Sequence, residues 1–254
     1  MENNRRSFIK NFLKSIIYFI LSLFNYHGAI ILMYHSVAEN NEFPTVKPAD
    51  FKEQIEYLHE KKFNVIKLSA LVGLINNRGK IPLKTVCLTF DDGYRDNFLN
   101  VLPELKKYGF PATIFVSTAL IGERKELENG REFKYLNESD IKEMLKSGLV
   151  DFGSHSHNHV KLSSLANQRL EAELKTSKRI LSSLTGGEII SLSYPIGRYN
   201  QETEIMAKSL YKIICTVEPG RVSENDNAWR LKRNSVDSQV SFSQFKGIVK
   251  FGRI

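Results

Sequence analysis

Short apolar runs alternate along most of the chain with segments in which apolar residues recur every three or four positions. The runs Ile30–Tyr34, Phe63–Leu68, Val86–Phe90, Ala112–Ser117, Val150–Gly153, Ile189–Tyr194 and Lys212–Val217 predict strands. Between them, Phe51–Lys61 reads as a helix behind an Asp50 cap, and Asn97–Tyr108 as one that tolerates Pro103. Ser139–Lys146 opens on a serine cap, Ala166–Leu184 is strongly amphipathic, and Gln201–Ser209 is the last clear helix. The charged, Gly-containing stretch Gly122–Tyr135 reads as a surface loop. Alternation of this kind predicts an α/β fold with a mostly parallel sheet and helices outside it. Some seven strands over this length suggest a closed, distorted (β/α)-barrel, whose chemistry collects where strands end. No repeat or linker divides the chain after residue 27, so 28–254 is expected to be one domain.

Residues 1–27 depart from this pattern. Arg5, Arg6, Lys10 and Lys14 precede the uncharged run Ser15–Phe24, as in the basic and apolar regions of a secretory signal, but no small-x-small cleavage site follows. The run alone is shorter than the ~20 residues of a spanning helix. Counted from Phe8, with Lys10 and Lys14 snorkelling, it approaches that length. Arg6, Lys10 and Lys14 also share one helical face, which suits an in-plane helix. Both readings predict membrane association through an N-terminal hydrophobic and basic helix. A spanning helix would place the domain on the extracytoplasmic side.

Composition adds little to this. With 254 residues, 42% hydrophobic and 25% charged, the chain is an ordinary folded protein. Its net charge of +8 comes from residues scattered as Lys61-Lys62, Lys106-Lys107 and Lys175 to Arg179. Such scatter reads as a lysine-rich solvated surface, and no basic stripe interleaved with aromatics suggests a nucleic-acid partner. Cys87 and Cys215 lie inside predicted strands and are expected to be small buried side chains.

The candidate chemistry lies in two segments. Thr89-Phe90-Asp91-Asp92-Gly93 ends one predicted strand, and Ser154-His155-Ser156-His157-Asn158-His159 follows another. Asp-Asp-Gly alone often makes a turn, and two histidines four apart often face solvent. Together they are more informative, because half of the six histidines fall within five consecutive positions. One carboxylate and two imidazoles can hold a divalent metal with positions left for water and substrate, and the second carboxylate can act as a base. His157 shares a face with His155 and His159 if the segment is extended, but not if it is a helical turn.

On these motifs the chain resembles the polysaccharide deacetylases of the NodB-homology type (carbohydrate esterase family 4), over about residues 28 to 240. By that resemblance Asp91 is the general base, Asp92, His155 and His159 are metal ligands, and His157 is not. Ser193-Tyr194-Pro195-Ile196-Gly197 stands where the family's third motif lines the cleft, which implies substrate or oxyanion contacts from Tyr194, Pro195 and the Ile196 N–H. Many members have arginine where this chain has Ser193 and tyrosine where it has Ile196, and no late Leu-x-x-His motif follows. Leu32-Met33-Tyr34-His35-Ser36-Val37 is similar to the opening motif of the poly-N-acetylglucosamine deacetylase subgroup, which makes His35 the candidate acid. The missing arginine would then come from Trp229-Arg230-Leu231-Lys232-Arg233, with Arg233 preferred over Arg230.

The implied function is metal-dependent N-deacetylation of N-acetylhexosamine units in a bacterial surface polysaccharide. Zinc is the family-level expectation, and iron, cobalt or nickel suit the same ligands. Two rivals differ in chemistry: a hydrolase of another C–N bond or of an O-acetyl ester at the same site, and a non-catalytic glycan-binding module.

Overall fold

A computed structural model describes residues 28–40, 44–126 and 132–252. The expected membrane-associating segment 1–27 lies outside the described residues. Among those described, no helix is long and apolar enough to cross a membrane.

In chain order the strands are β1 (Ala29–Tyr34), β2 (Ser36–Val37), β3 (Thr45–Val46), β4 (Asn64–Val65), β5 (Thr85–Phe90), β6 (Ala112–Val116), β7 (Arg124–Glu126), β8 (Glu132–Lys134), β9 (Val150–Ser154), β10 (Ser191–Ser193), β11 (Ile213–Cys215) and β12 (Asn234–Ser235). The main sheet is parallel and runs β11-β10-β9-β6-β5-β1-β12. β1 pairs along the whole of β5, Ala29 with Thr85 through Tyr34 with Phe90. Its two ends approach each other through one stretch of chain. Leu231 bridges to Cys215 at the β11 end, and three residues later Asn234 pairs with Leu32 of β1. The sheet therefore curls toward a barrel, as the alternating pattern implies.

The helices are α1 (Pro48–Glu60), α2 (Leu68–Asn76), α3 (Leu102–Tyr108), α4 (Glu138–Lys146), α5 (Asn167–Thr185), α6 (Gln201–Leu210) and α7 (Phe242–Phe251). Strand alternation sends Ile30, Leu32, Tyr34, Val86, Leu88 and Phe90 outward, where they pack with Phe51, Ile55 and Leu58 of α1 in the larger core. Each such side chain contributes about 1.5–3 kcal/mol on burial. The other face of the strands sends Ala29, Ile31, Cys87, Phe115, Ile213, Cys215 and Leu231 inward, against Leu68, Leu71, Val72 and Ile75 of α2. Both cysteines are free and buried, as expected. Along β5 the inward residues turn from apolar Cys87 to Thr89 and then Asp91, so the curl is greasy at one end and polar at the other.

Several local expectations need correction. The strand expected over Phe63–Leu68 is only Asn64–Val65, because β6 takes the edge of β5 from Leu88 onward. Leu68 instead begins α2, whose buried residues Leu68, Leu71, Val72 and Ile75 follow a helical period. α1 starts before Asp50: Lys47 is its N-cap and Pro48 its first residue, with Asp50 inside the first turn. The cap of α4 is Asn137 rather than Ser139, in a reciprocal capping box with Asp140. Pro103 is accommodated by a π-helical turn, Asn97–Val101, just before α3. The expected loop 122–135 carries the antiparallel pair β7–β8.

Candidate active site

Apart from the arginines, the candidate residues follow the C-terminal ends of strands, and Arg233 lies just before β12. β5 delivers Asp91 inward by alternation from Cys87 and Thr89, and the chain then turns sharply. Asp92 has φ 71° and Gly93 φ 78°, so the second carboxylate points to the same hollow as the first. A carboxylate side chain tolerates that left-handed region better than most. After β9, Ser156 (φ 63°) and His159 (φ 53°) fold the histidine segment back on itself. The rings of His155 and His159 are thereby brought to 5.1 Å between centroids. His157 turns away and its Nδ1 meets Thr118 Oγ1 at 2.8 Å.

Asp92, His155 and His159 converge, with one ligand atom from each lying within 4.8 Å of the others. Asp92 Oδ1 is 3.3 Å from His155 Nε2 and 3.0 Å from His159 Nε2. The His155 Nδ1 lies 2.9 Å from the Ser193 carbonyl, which can only accept a hydrogen bond. That nitrogen therefore carries a proton, which leaves Nε2 as the ring atom turned toward the carboxylate oxygen. Asp92 Oδ1 is buried and receives no hydrogen bond from the described residues. One carboxylate oxygen and two imidazole nitrogens gathered within 4.8 Å of one another are a donor set that fits a divalent metal.

Asp91 is 2% exposed and sits on a fully buried arginine. Arg233 Nη1 donates to Asp91 Oδ1 and Nη2 to Oδ2, both at 2.7 Å. The same guanidinium donates to Ser193 Oγ at 2.7 Å, to Thr89 Oγ1 at 3.2 Å and, through Nε, to the Thr216 carbonyl at 2.9 Å. Ser193 Oγ in turn donates to Asp91 Oδ2 at 3.1 Å. Burial pushes the Asp91 carboxyl up, but the charge and hydrogen bonds of Arg233, together with His155 and His35, outweigh it and hold the group below the usual range. Arg230, the other candidate, forks onto Glu204 at 2.7 and 2.6 Å, away from Asp91.

His35 follows β1, and burial lowers its imidazole pKa against the pull of Asp91 and Asp92. With Asp91, Asp92, His155, His159, Tyr94, Tyr194 and Ile196 it lines a cavity of about 220 Å³. Pro195 is buried in the turn below, where Gly197 N–H bonds back to the Tyr194 carbonyl at 3.0 Å. Ile196 occupies that turn at φ 58°, ψ 9°, and is 62% exposed. A β-branched residue in this region is strained, by about 1–3 kcal/mol. The Tyr194 ring stacks on Tyr199 at 4.6 Å.

Sequence reasoning missed several supporting residues. Glu173 of α5 accepts from the His157 and Asn158 N–H groups at 3.0 and 2.9 Å and so fixes the turn between the two imidazoles. Tyr94 forms a wall of the cavity and stacks on Tyr135 at 5.2 Å. A helical glutamate carries no local signal of such a role; the position of Tyr94 two residues after Asp92 does carry a weak one.

The sequence profile of the family described as Polysaccharide deacetylase matches residues 78–213, more than half of the chain. A Bacillus subtilis protein named as a polysaccharide deacetylase, YxkH, is 32% identical over 221 residues, 87% of this chain and 75% of that one. The poly-β-1,6-N-acetyl-D-glucosamine N-deacetylase of Staphylococcus aureus is 28% identical over 220 residues, 82% of this chain and 73% of that one. Among solved structures, the Streptococcus pyogenes deacetylase PplD in complex with acetate superposes with a TM-score of 0.78 at 27% identity, covering 89% of this chain and 99% of that one. Profile, sequence and fold agree with one another, and the chain belongs to the polysaccharide deacetylase family, hydrolases that release acetate from polysaccharides.

Proposed function

We propose that the protein is a metal-dependent N-deacetylase acting on N-acetylhexosamine units of a bacterial surface polysaccharide, with residues 1–27 holding the domain at the extracytoplasmic face of the membrane. One observation carries this reading: Asp92, His155 and His159 face a common centre beside a buried carboxylate kept ionised by Arg233. The oxygen-plus-imidazole set takes zinc first, and iron, cobalt or nickel also suit it. A divalent cation held there supplies Lewis acidity to the acetyl carbonyl and to water.

The chain's own groups do the rest. Asp91 takes a proton from the attacking water, and the arginine behind it fixes both carboxylate oxygens so that their direction is constant. The turn at Tyr194–Gly197 sets the Ile196 backbone at the cavity edge, where its N–H can donate to a developing oxyanion. An amine leaves only when protonated, and His35 is the imidazole on the cavity wall that can supply the proton. The relative from Staphylococcus aureus, named for an amide substrate, favours N-acetyl over O-acetyl groups.

The test is acetate release from poly-β-1,6-N-acetylglucosamine, run beside an O-acetylated glycan, with metal analysis of each variant. Asp91→Ala abolishes release while the metal stays bound, and His155→Ala loses both. Full turnover in Asp91→Ala removes the base assignment, and release from the O-acetylated glycan alone transfers the reading to an esterase.

A further inference from the structure

The wall that carries His35 is gripped by a segment with no part in the chemistry above. Asp96 stands just before the π-helical turn Asn97–Val101, and Asn97 and Asn100 lie within it. This turn is where Pro103 deprives the helix of a backbone donor, so the ladder widens by one residue. Asp96 Oδ2 accepts from Ser36 Oγ at 2.7 Å, and Oδ1 from the Val37 N–H at 2.9 Å. Asn97 Nδ2 donates to the His35 carbonyl at 2.9 Å and to Asp96 Oδ1 at 2.9 Å. Asn100 Nδ2 donates to the Val37 carbonyl at 2.7 Å. The main chain from His35 to Val37 is thus clamped by three side chains of one turn.

The imidazole itself is held differently. His35 Nδ1 is buried and has no hydrogen-bond partner among the described residues. Catalytic imidazoles are usually aimed by a carboxylate or carbonyl on the second ring nitrogen. With no hydrogen bond on Nδ1 to aim it, the ring depends for its direction on the backbone that bears it, and that backbone is what the turn fixes.

We propose that Asp96 and Asn97 are positioning residues for His35, holding its main chain so that the ring faces the leaving nitrogen of the substrate. The inference rests on the reading of His35 as proton donor. In that step Asp91 accepts one proton from water, whose oxygen bonds to the acetyl carbon. His35 delivers one proton to nitrogen as the C–N bond breaks, and the bonding pair stays with nitrogen. Acetic acid and a free amine result, the acid passes its remaining proton to the amine or solvent to become acetate, and the proton on Asp91 returns to His35 through solvent.

The readout is the contrast between two leaving groups. The amine of an N-acetylglucosamine oligomer must be protonated to leave, whereas the nitrophenolate of 4-nitrophenyl acetate leaves without a proton. Asp96→Ala is expected to lower kcat on the oligomer by about 10- to 100-fold, the scale of a misplaced catalytic group. It should leave KM, bound metal and 4-nitrophenyl acetate turnover nearly unchanged. Asp96→Asn keeps an acceptor for the Val37 N–H and should recover most of the loss. His35→Ala is the control and should show the same selectivity, more strongly. Equal losses on both substrates in Asp96→Ala would mean a merely structural role and overturn the inference. Selective loss in His35→Ala without loss in Asp96→Ala would overturn the positioning role alone. No selectivity in His35→Ala would overturn the proton-donor reading itself. If Asp96→Ala does not fold, Ser36→Ala removes one of its two contacts to the wall, and a selective loss there supports the inference while unchanged turnover sinks it.

Discussion

The interaction most exposed to experiment is the fork between Arg233 and Asp91. Arg233 is 0% and Asp91 2% exposed, so neither charge has water to fall back on. Two contacts at 2.7 Å link them, and Ser193, Thr89 and Thr216 occupy the remaining hydrogen-bonding directions. Removing one member of such a pair strands the other in a poorly solvating interior, at about 3–5 kcal/mol. Arg233→Met keeps the length of the side chain and removes the charge. It should therefore destabilise the metal-stripped protein by that amount in urea unfolding at neutral pH, with an unchanged m-value. In an Asp91→Asn background the stranded charge is gone, and the same substitution should cost less by about 2 kcal/mol or more. Arg233→Lys should behave more like Met than like arginine, because one ammonium cannot face both carboxylate oxygens. A coupling below about 0.5 kcal/mol between positions 91 and 233 would refute the reasoning, since that is the value for sites that do not interact.

Two further outcomes follow from local geometry. Ile196→Gly frees a strained turn at φ 58°, so the melting temperature should rise, by up to about 1 kcal/mol of stability after the added chain entropy of glycine. Binding of the glycan should weaken, because the Ile196 side chain lines the cavity, and a lowered melting temperature would show that the turn is not strained. Glu204 is held by the Arg230 fork and by Lys208, which bring its carboxyl from the ordinary 4.5 down to about 2. A depressed carboxyl stabilises the fold fully above its unfolded pKa and loses that contribution as the pH falls through its folded one. Glu204→Gln should thus cost about 1 kcal/mol at neutral pH, limited by the half-exposed Arg230, and almost nothing near pH 2. A cost that does not change with pH would detach Glu204 from that pair.

What was legible in the chain was what repeats locally. β1 is a continuous apolar run, and β5 and β6 are broken only by buried threonines, because both of their faces are covered; the ends of β1, β5 and β9 predicted where His35, Asp91 and His155 emerge. α2 was hidden because its first residue, Leu68, closes an apolar run that already reads as a strand, and period alone cannot separate a short buried helix from a strand there. The caps at Lys47 and Asn137 were missed by three and two residues for a related reason: several residues near each helix start can cap it, and the choice depends on where the preceding chain comes from. Glu173 and Asp96 act on segments 16 and 59 positions away, so no sequence window contains both partners.

Arg233 is the extreme case, 142 positions from the carboxylate it serves. Its placement follows from how the sheet closes. The segment that carries it bridges β11 at Leu231 and joins β1 at Asn234, so a side chain between the two points into the curl at the height of Asp91. The small Ser193 beneath it leaves room for the guanidinium, and a long cation at position 193 would compete for the same space. The fork therefore does two things at once. It keeps the candidate base ionised, and it ties the closing segment to the ends of β5 and β10. A chain that has not brought 231–235 into the seam leaves Asp91 without its partner, and burial alone would then push that carboxyl toward its neutral form. Closure of the fold and readiness of the base are one interaction, so the candidate site cannot be complete before the sheet is.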